Sequence, residues 1–265
     1  MPRGRDILGR RLIGNSSLRH RSDPDVKFGS WRHPGEPPMS HRILKKQVLN
    51  LLQSESIPAM LAAVCRWPSR QVVNPLIGCL YHIDDTVRWH AVSAMGAVVS
   101  KLAAEEMESA RVVMRRLMWN LNDESGGIGW GSPEALGEIM ARQGALAGEY
   151  APILISYLDP QGNYLEHNEL QKGVLWGLGR LAHSRPLLAA PAARLLPPFL
   201  SSPDATLRGL ALWASEAVPS ELSDVWVKTL RTDQSAFTLY LDGRFTRLTI
   251  AELANRATGI EMDSV

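Results

Sequence analysis

Two segments 120 residues apart share one pattern. They are Ile83-Asp84-Asp85-Thr86-Val87-Arg88-Trp89-His90-Ala91-Val92-Ser93-Ala94 and Pro203-Asp204-Ala205-Thr206-Leu207-Arg208-Gly209-Leu210-Ala211-Leu212-Trp213-Ala214. In each, Arg follows the first Asp by four residues, and Ala recurs seven and ten residues after it. Two looser copies lie between them, Glu134-Ala135-Leu136-Gly137 and Leu175-Trp176-Gly177-Leu178-Gly179. They end at Gly137 and Gly179 as the first copy ends at Gly96, giving offsets of 41 and 42 residues, with the fourth copy about 37 further on. A period of this size constrains the fold more than any single motif, because one helix pair cannot bury its apolar face alone and neighbouring pairs must stack.

The residues supply the means. Asp after a first helix accepts backbone N–H bonds and caps the second, while Ala and Gly let paired helices approach closely. Earlier in the chain, Ile43, Leu44, Val48, Leu51 and Leu52 mark one helix face, and Ile57, Met60, Leu61, Val64 and Cys65 mark the next. Pro58 is tolerable in a first turn, and Pro68 ends the second helix.

The D-x-x-x-R-x-x-A-x-x-A pattern resembles the HEAT repeat of the armadillo-type class, and more loosely the HEAT-like repeats of phycobilisome lyases, over about residues 41–220. The resemblance implies an all-α, right-handed α-α superhelix. It carries no function with it, since a fold is compatible with many. The tail departs from this pattern. Phe237–Leu241 and Arg244–Ile250 alternate around Asp242-Gly243, a type I′ hairpin signal. Thr249 is placed to cap a short final helix containing Ala251-Glu252-Leu253-Ala254. A lone two-strand hairpin is marginal, so it is expected to pack over the last helical repeat. The expected organisation is a basic arm over 1–40, helical repeats over 41–230, and the hairpin, helix and tail over 231–265.

Charge is unevenly spread. Residues 1–46 hold eleven Lys and Arg against four acids, a net +7, and the remainder is −5. Gly and Pro crowd the first 40 residues without an apolar period, which reads as disorder. Three readings compete for this arm: contact with nucleic acid or anionic lipid, an organellar transit peptide, or translation upstream of a true start at Met39. Arg10-Arg11 is followed by no apolar run or cleavage site, which argues against twin-arginine export. A 45% hydrophobic content excludes a wholly disordered chain. Two cysteines cannot form a disulfide framework or Cys-rich zinc module; Cys65 and Cys79 read as small core residues. No apolar run reaches membrane-spanning length, and a cytoplasmic location is expected.

Candidate functional residues gather in two long inter-helix segments. Trp119–Glu134 holds four Gly, two Trp and three acids between helices, among them Asn122, Asp123 and Glu124. Gly permits close backbone approach and Trp offers a stacking surface; a longer turn with both Trp buried is the structural alternative. Ser132-Pro133-Glu134 has the form of a helix start with Ser as cap. The second segment, Asp159–Glu169, leads into a helix carrying Lys172, Trp176 and Arg180 four apart on one stripe. Trp89, Trp130 and Trp176 occupy related repeat positions. With Arg88, His90, Glu134 and His167 they would line one polar-aromatic groove, or else serve as core, as Arg88 and Arg208 would serve the repeat.

Other resemblances were tested on residues. Asn-Asp-Glu-Ser-Gly-Gly-Ile-Gly-Trp-Gly (122–131) is similar to a stretch in an uncharacterised HEAT-like family of anaerobic bacteria, with no activity implied. Deoxyhypusine hydroxylases hold iron with His-Glu dipeptides, and none of the seven His here precedes Glu. His167 with Glu166 and Glu169 has the residue types of a ligand set, but a flexible turn rich in polar residues is the commoner explanation. HEAT-like alkylpurine DNA glycosylases use Trp and Asp on a basic concave face; Trp119 and Asp123 have that spacing, but Arg115 and Arg116 are the cations near them in the sequence and the body is acidic. That balance counts against nucleic acid. No nucleophile elbow, Walker loop or dinucleotide fingerprint occurs.

The resulting expectation is a scaffold or adaptor that binds a protein partner through Trp119, Asn122, Asp123, Glu124, Trp130, Glu134, His167, Glu169, Lys172, Trp176 and Arg180, since Trp and Arg anchor interfaces. No cofactor or metal is called for, and oligomeric state is not legible. The competing class is an enzyme or small-ligand binder on the same loops, with Asp123, Glu124 or His167 as acid–base group and Trp as stacking wall.

Overall fold

Helix starts in this chain are set by capping side chains and by proline. The computed structural model describes residues 41–121, 129–219 and 222–257, all within the unit Met39–Val265. α1 (His41–Leu52) buries Leu44, Val48 and Leu52, one per turn. Ser56 caps α2 (Ile57–Val64) with its hydroxyl on the Ala59 N–H. Ile43, expected on the buried face, is exposed instead, because α1 has no partner on that side among the described residues. Pro68 precedes α3 (Ser69–Cys79).

Asp84 and Asp204 then make the same cap twice. Asp84 Oδ1 accepts from Thr86 N at 2.8 Å and Val87 N at 3.3 Å, opening α4 (Asp85–Glu105). α5 (Met107–Leu121), α6 (Ser132–Arg142), α7 (Gly144–Ser156) and α8 (Asn168–Ser184) follow. The next first helix is broken by prolines into α9 (Pro186–Ala189), a 3-10 turn (Ala190–Leu195) and α10 (Pro197–Leu200). Asp204 Oδ1 then accepts from Thr206 N at 2.8 Å and Leu207 N at 3.3 Å, opening α11 (Ala205–Ala217). The chain continues through α12 (Leu222–Leu230), β1 (Ala236–Leu241), β2 (Arg244–Thr249) and α13 (Ile250–Ala257).

The second helix of each pair builds an inner layer in which α4 packs on α6, α6 on α8, and α8 on α11. The small residues explain the closeness. A Cβ on Gly137 of α6 would collide with the backbone of Gly177 on α8. Gly96 likewise opens onto Glu138, and Gly179 onto the Trp213 ring, so each repeat glycine faces the next inner helix. α3, α5, α7 and α9–α10 form the other layer. The result is an α-solenoid of stacked helix pairs carrying a small antiparallel hairpin.

The hairpin turns at Asp242 (φ 50°) and Gly243 (φ 83°), the two left-handed residues that a type I′ turn requires. Thr249 and Glu252 form a reciprocal capping box at α13: Glu252 N donates to Thr249 Oγ1 at 3.1 Å, and Thr249 N to Glu252 Oε2 at 2.6 Å. Arg208 pins the approach to β1, donating to Asp233, Ser235 and the Ser202 carbonyl.

The hairpin reaches well beyond the last repeat. Phe237 lies against Gly209 of α11, and Gly243 at the other end lies against Ile57 of α2. Between them the Tyr240 carbonyl accepts from Trp176 Nε1 of α8 at 2.8 Å. Its hydroxyl meets Ser93 Oγ of α4 at 3.1 Å. A cap confined to the last pair would leave Trp89 and Trp176 without Tyr240; lying along the inner layer, the hairpin buries Trp176, covers part of Trp89 and gains the stability it lacks alone.

Candidate functional site

Aromatic side chains that look alike in the sequence fall into two groups. The first lies under the hairpin. Trp89 and Trp176 meet edge-on with centroids 4.7 Å apart, Trp89 stacks on Tyr240 at 4.8 Å, and Trp213 lies 6.2 Å from Trp176. Trp176 is 3% exposed, with its indole N–H already taken by Tyr240. It is therefore core, a correction to its expected place on a binding surface. His90 is also core, buried with Nδ1 2.7 Å from the Leu52 carbonyl. Arg180 donates from Nε to Glu138 Oε2 at 2.7 Å, while Arg142 Nε holds Oε1 at the same distance. Glu138 is buried between them, so Arg180 ties α8 to α6, and its guanidinium is committed to that tie.

The second group lines the turns that lead into the inner helices. Ile83, directly before the Asp84 cap, is 96% exposed; Trp119, near the end of α5, is 73% exposed, and Trp130 36%. Tyr164 and Tyr81 are exposed on neighbouring turns. The ridge is continuous: Gly131, in left-handed conformation at φ 71°, lies against Leu80, and the Trp130 ring meets His167 edge-on at 5.9 Å. Gly131 takes the cap position of α6 with no side-chain cap, so Ser132 stands inside the helix rather than capping it, against the sequence expectation. The tight turn beside Leu80 needs glycine there.

Electrostatics distinguish the ridge further. His167 caps α8, its Nδ1 accepting the Glu169 N–H at 3.2 Å. Lys172 pairs with Glu169 at 2.7 Å and with Asp204 at 3.0 Å. Burial opposes ionisation of Asp204, yet bonds from Asn168, Lys172 and two backbone N–H groups hold it at about 2. Glu134 is the opposite case. Its Oε2 is buried without a hydrogen-bond partner and packs against the Cα of Gly173, where a Cβ would stand 2.7 Å away. Burial pushes this carboxyl up to about 7, against the pull of its backbone hydrogen bond and of Arg88. Such a group is a proton donor or acceptor near neutral pH. Asn120 Nδ2 and Ser132 Oγ are also buried without partners, on either side of residues 122–128. Asn122, Asp123 and Glu124 lie outside the described residues.

The structure thus brings together Trp130, Glu134, His167, Glu169 and Lys172, leaves Trp119 exposed near the end of α5, and separates Trp176 and Arg180 from them. Beyond Tyr164 a cleft of about 530 Å³ continues the surface, lined among others by Asp159, Gln171, Arg194, Phe199 and Leu207. Sequence reasoning missed Ile83, and it included Tyr164 only as part of the second inter-helix segment. Ile83 directly precedes a cap residue just as Trp130 does, a signal available without coordinates. Among the described residues, no three His, Cys, Asp or Glu side chains gather to hold a metal ion, and no helix is long and apolar enough to cross a membrane. Cys65 and Cys79 are free thiols raised by burial.

Comparison with known proteins adds the following. No family model matches the chain. An uncharacterised protein of Archaeoglobus fulgidus is 26% identical over 181 residues, covering 68% of this chain and 92% of its own length. Among solved structures, a designed armadillo repeat protein in complex with the peptide (KR)4 is 15% identical, covering 81% of this chain and 98% of its own, with a TM-score of 0.46. An archaeal HEAT-like repeats protein from Thermococcus onnurineus NA1 is 16% identical, covering 85% and 98%, with a TM-score of 0.36.

Proposed function

We propose that the protein is a scaffold or adaptor that binds a protein partner along the ridge formed by Ile83, Trp119, Trp130, Tyr164 and the His167–Lys172 turn. One observation carries this reading: large apolar side chains stand exposed on consecutive turns, while the inner face is filled by the chain's own hairpin. Exposed aromatic residues rimmed by polar groups mark interaction sites. The polar rim here is Asp85, Arg88, Glu169 and Lys172. The competing small-ligand or enzymatic reading has one supporting observation, the Glu134 carboxyl with its unpaired buried oxygen and near-neutral pKa.

Immobilised full-length protein tests both. A partner retained by wild type is lost when Trp119→Ala and Trp130→Ala are combined and kept in Glu134→Gln. Loss in Glu134→Gln with retention in the double tryptophan variant moves the function to the carboxyl. Equal recovery in all three removes the ridge as the binding surface.

A further inference from the structure

Among the described residues the outer edge of β2 has no strand paired to it, and the register fixes its backbone parity. Strand pairing runs Ala236↔Thr249 through Leu241↔Arg244. In a two-residue hairpin, the pair that closes the turn exchanges both hydrogen bonds, and alternate pairs point their N–H and C=O groups outward. Leu241↔Arg244, Leu239↔Thr246 and Phe237↔Leu248 are therefore the bonded pairs.

Three contacts confirm this parity. Ile250 N donates to the Ser235 carbonyl at 3.0 Å, continuing the bonded series. The outward Tyr240 carbonyl of β1 is taken by Trp176, and the outward Thr249 N–H of β2 by Glu252. The outward groups that remain on β2 are the N–H and C=O of Phe245 and Arg247. Neither residue has a backbone partner outside the hairpin among the described residues, and Arg244, Phe245, Thr246 and Arg247 are all exposed.

From this register we infer that β2 accepts a third, antiparallel strand from an acidic, extended segment of a partner protein, through the backbone of Phe245 and Arg247. Strand addition of this kind takes affinity from main-chain bonds and specificity from alternate side chains. Charge selects the occupant. Arg244 and Arg247 flank the edge; of the acids within the hairpin and α13, Asp242 sits in the turn and Glu252 is turned onto Thr249. Two arginines on an edge oppose pairing with a like edge, so a second copy of this chain is disfavoured and carboxylates are favoured.

The register also specifies the segment. Running antiparallel, it places an acid opposite Arg247, any residue opposite Thr246, an apolar or aromatic residue opposite Phe245, and an acid opposite Arg244. Phe245 is 42% exposed, and its ring lies 5.1 Å from Tyr240. An aromatic residue placed there extends the stack that begins at Trp89. This surface is independent of the turn ridge.

The test is amide exchange and chemical-shift mapping on the full chain with the blocked peptide Ser-Glu-Thr-Phe-Glu-Ser. The expected result is slowing of the Phe245 and Arg247 amides by about tenfold or more at saturation, with shifts centred on residues 244–248. Replacing both Glu of the peptide by Lys abolishes this. In the chain, Arg244→Glu combined with Arg247→Glu reverses the preference between the two peptides; circular dichroism and a thermal melt confirm that this variant is folded. The inference is overturned if millimolar acidic peptide leaves both amides unprotected, or if the two peptides bind wild type equally. It is also overturned if sedimentation shows wild type dimerising with the same two amides protected, which assigns the edge to a second copy.

Discussion

Trp176 and Trp130 look alike in the sequence, yet one lies within α8 and is core, and the other precedes α6 and is surface. Trp176 meets Trp89, Trp213 and Tyr240 under the hairpin, and its N–H is satisfied. Trp130 precedes the cap of α6 and is 36% exposed, and among the described residues its ring meets that of His167. The difference teaches that likeness in the sequence does not place a residue: Trp176 lies inside a helix that the hairpin covers, and Trp130 lies in the turn before one. In this protein the hairpin covers the inner face, and the turns leave large apolar side chains exposed.

That division can be broken experimentally. The largest effect is expected at the covered face. Trp176→Ala removes a buried indole and leaves the Tyr240 carbonyl unpaired, costing about 3–5 kcal/mol in a urea unfolding experiment. A loss below about 1 kcal/mol would mean that the hairpin does not depend on this contact. Gly137→Ala drives a methyl group into the Gly177 backbone, and overpacking of this kind costs about 1–3 kcal/mol or more. A variant as stable as wild type would contradict the close packing of α6 on α8.

At the edge of the ridge the effect depends on pH. The Glu134 carboxyl is raised from 4.5 to about 7, so the folded state binds more protons than the unfolded state between those values. Its contribution is fully present below about 4.5 and is lost as pH rises through about 7. Glu134→Gln removes this dependence, and its stability relative to wild type is expected to rise by about 3 kcal/mol between pH 4 and pH 8. Thermal melts across that range check it; parallel curves would show that the carboxylate finds a partner. Burial raises Glu216 to about 7 in the same way, opposed by Arg256, so Glu134→Gln keeps the part of the slope that Glu216 supplies.

Smaller effects complete the contrast. Tyr240→Phe loses the Ser93 bond and keeps the ring, costing about 1 kcal/mol. Trp119→Ala and Trp130→Ala are expected to change stability by less than about 0.5 kcal/mol, as for surface positions, while reducing partner capture. Strong destabilisation by either would transfer its tryptophan to the core group.

Much of the architecture was legible in the chain. Asp84 and Asp204 announced two helix starts because a carboxylate three residues from backbone N–H groups has one local use. Asp242-Gly243 announced the hairpin because only left-handed residues close such a turn. Gly96, Gly137 and Gly179 announced the spacing of the inner helices. The candidate site was less legible. Trp130, His167, Glu169 and Lys172 are close in space because adjacent turns stack, which the period foretold, but the period treated Trp176 as their equivalent. Nor did it show that Ser132 would fall inside α6, since a left-handed Gly131 against Leu80 is a tertiary contact.

The sequence alone determined the capped helix pairs, their stacking and the hairpin, because these depend on residues within a few positions or on repetition at a fixed period. Only the tertiary structure decided which aromatic residues are core. That choice rests on a contact between residues far apart in the chain, Tyr240 with Ser93 and Trp176, and local pattern has no access to it. The same contact gives β1 a helical neighbour along its outer edge and leaves the outer edge of β2 open.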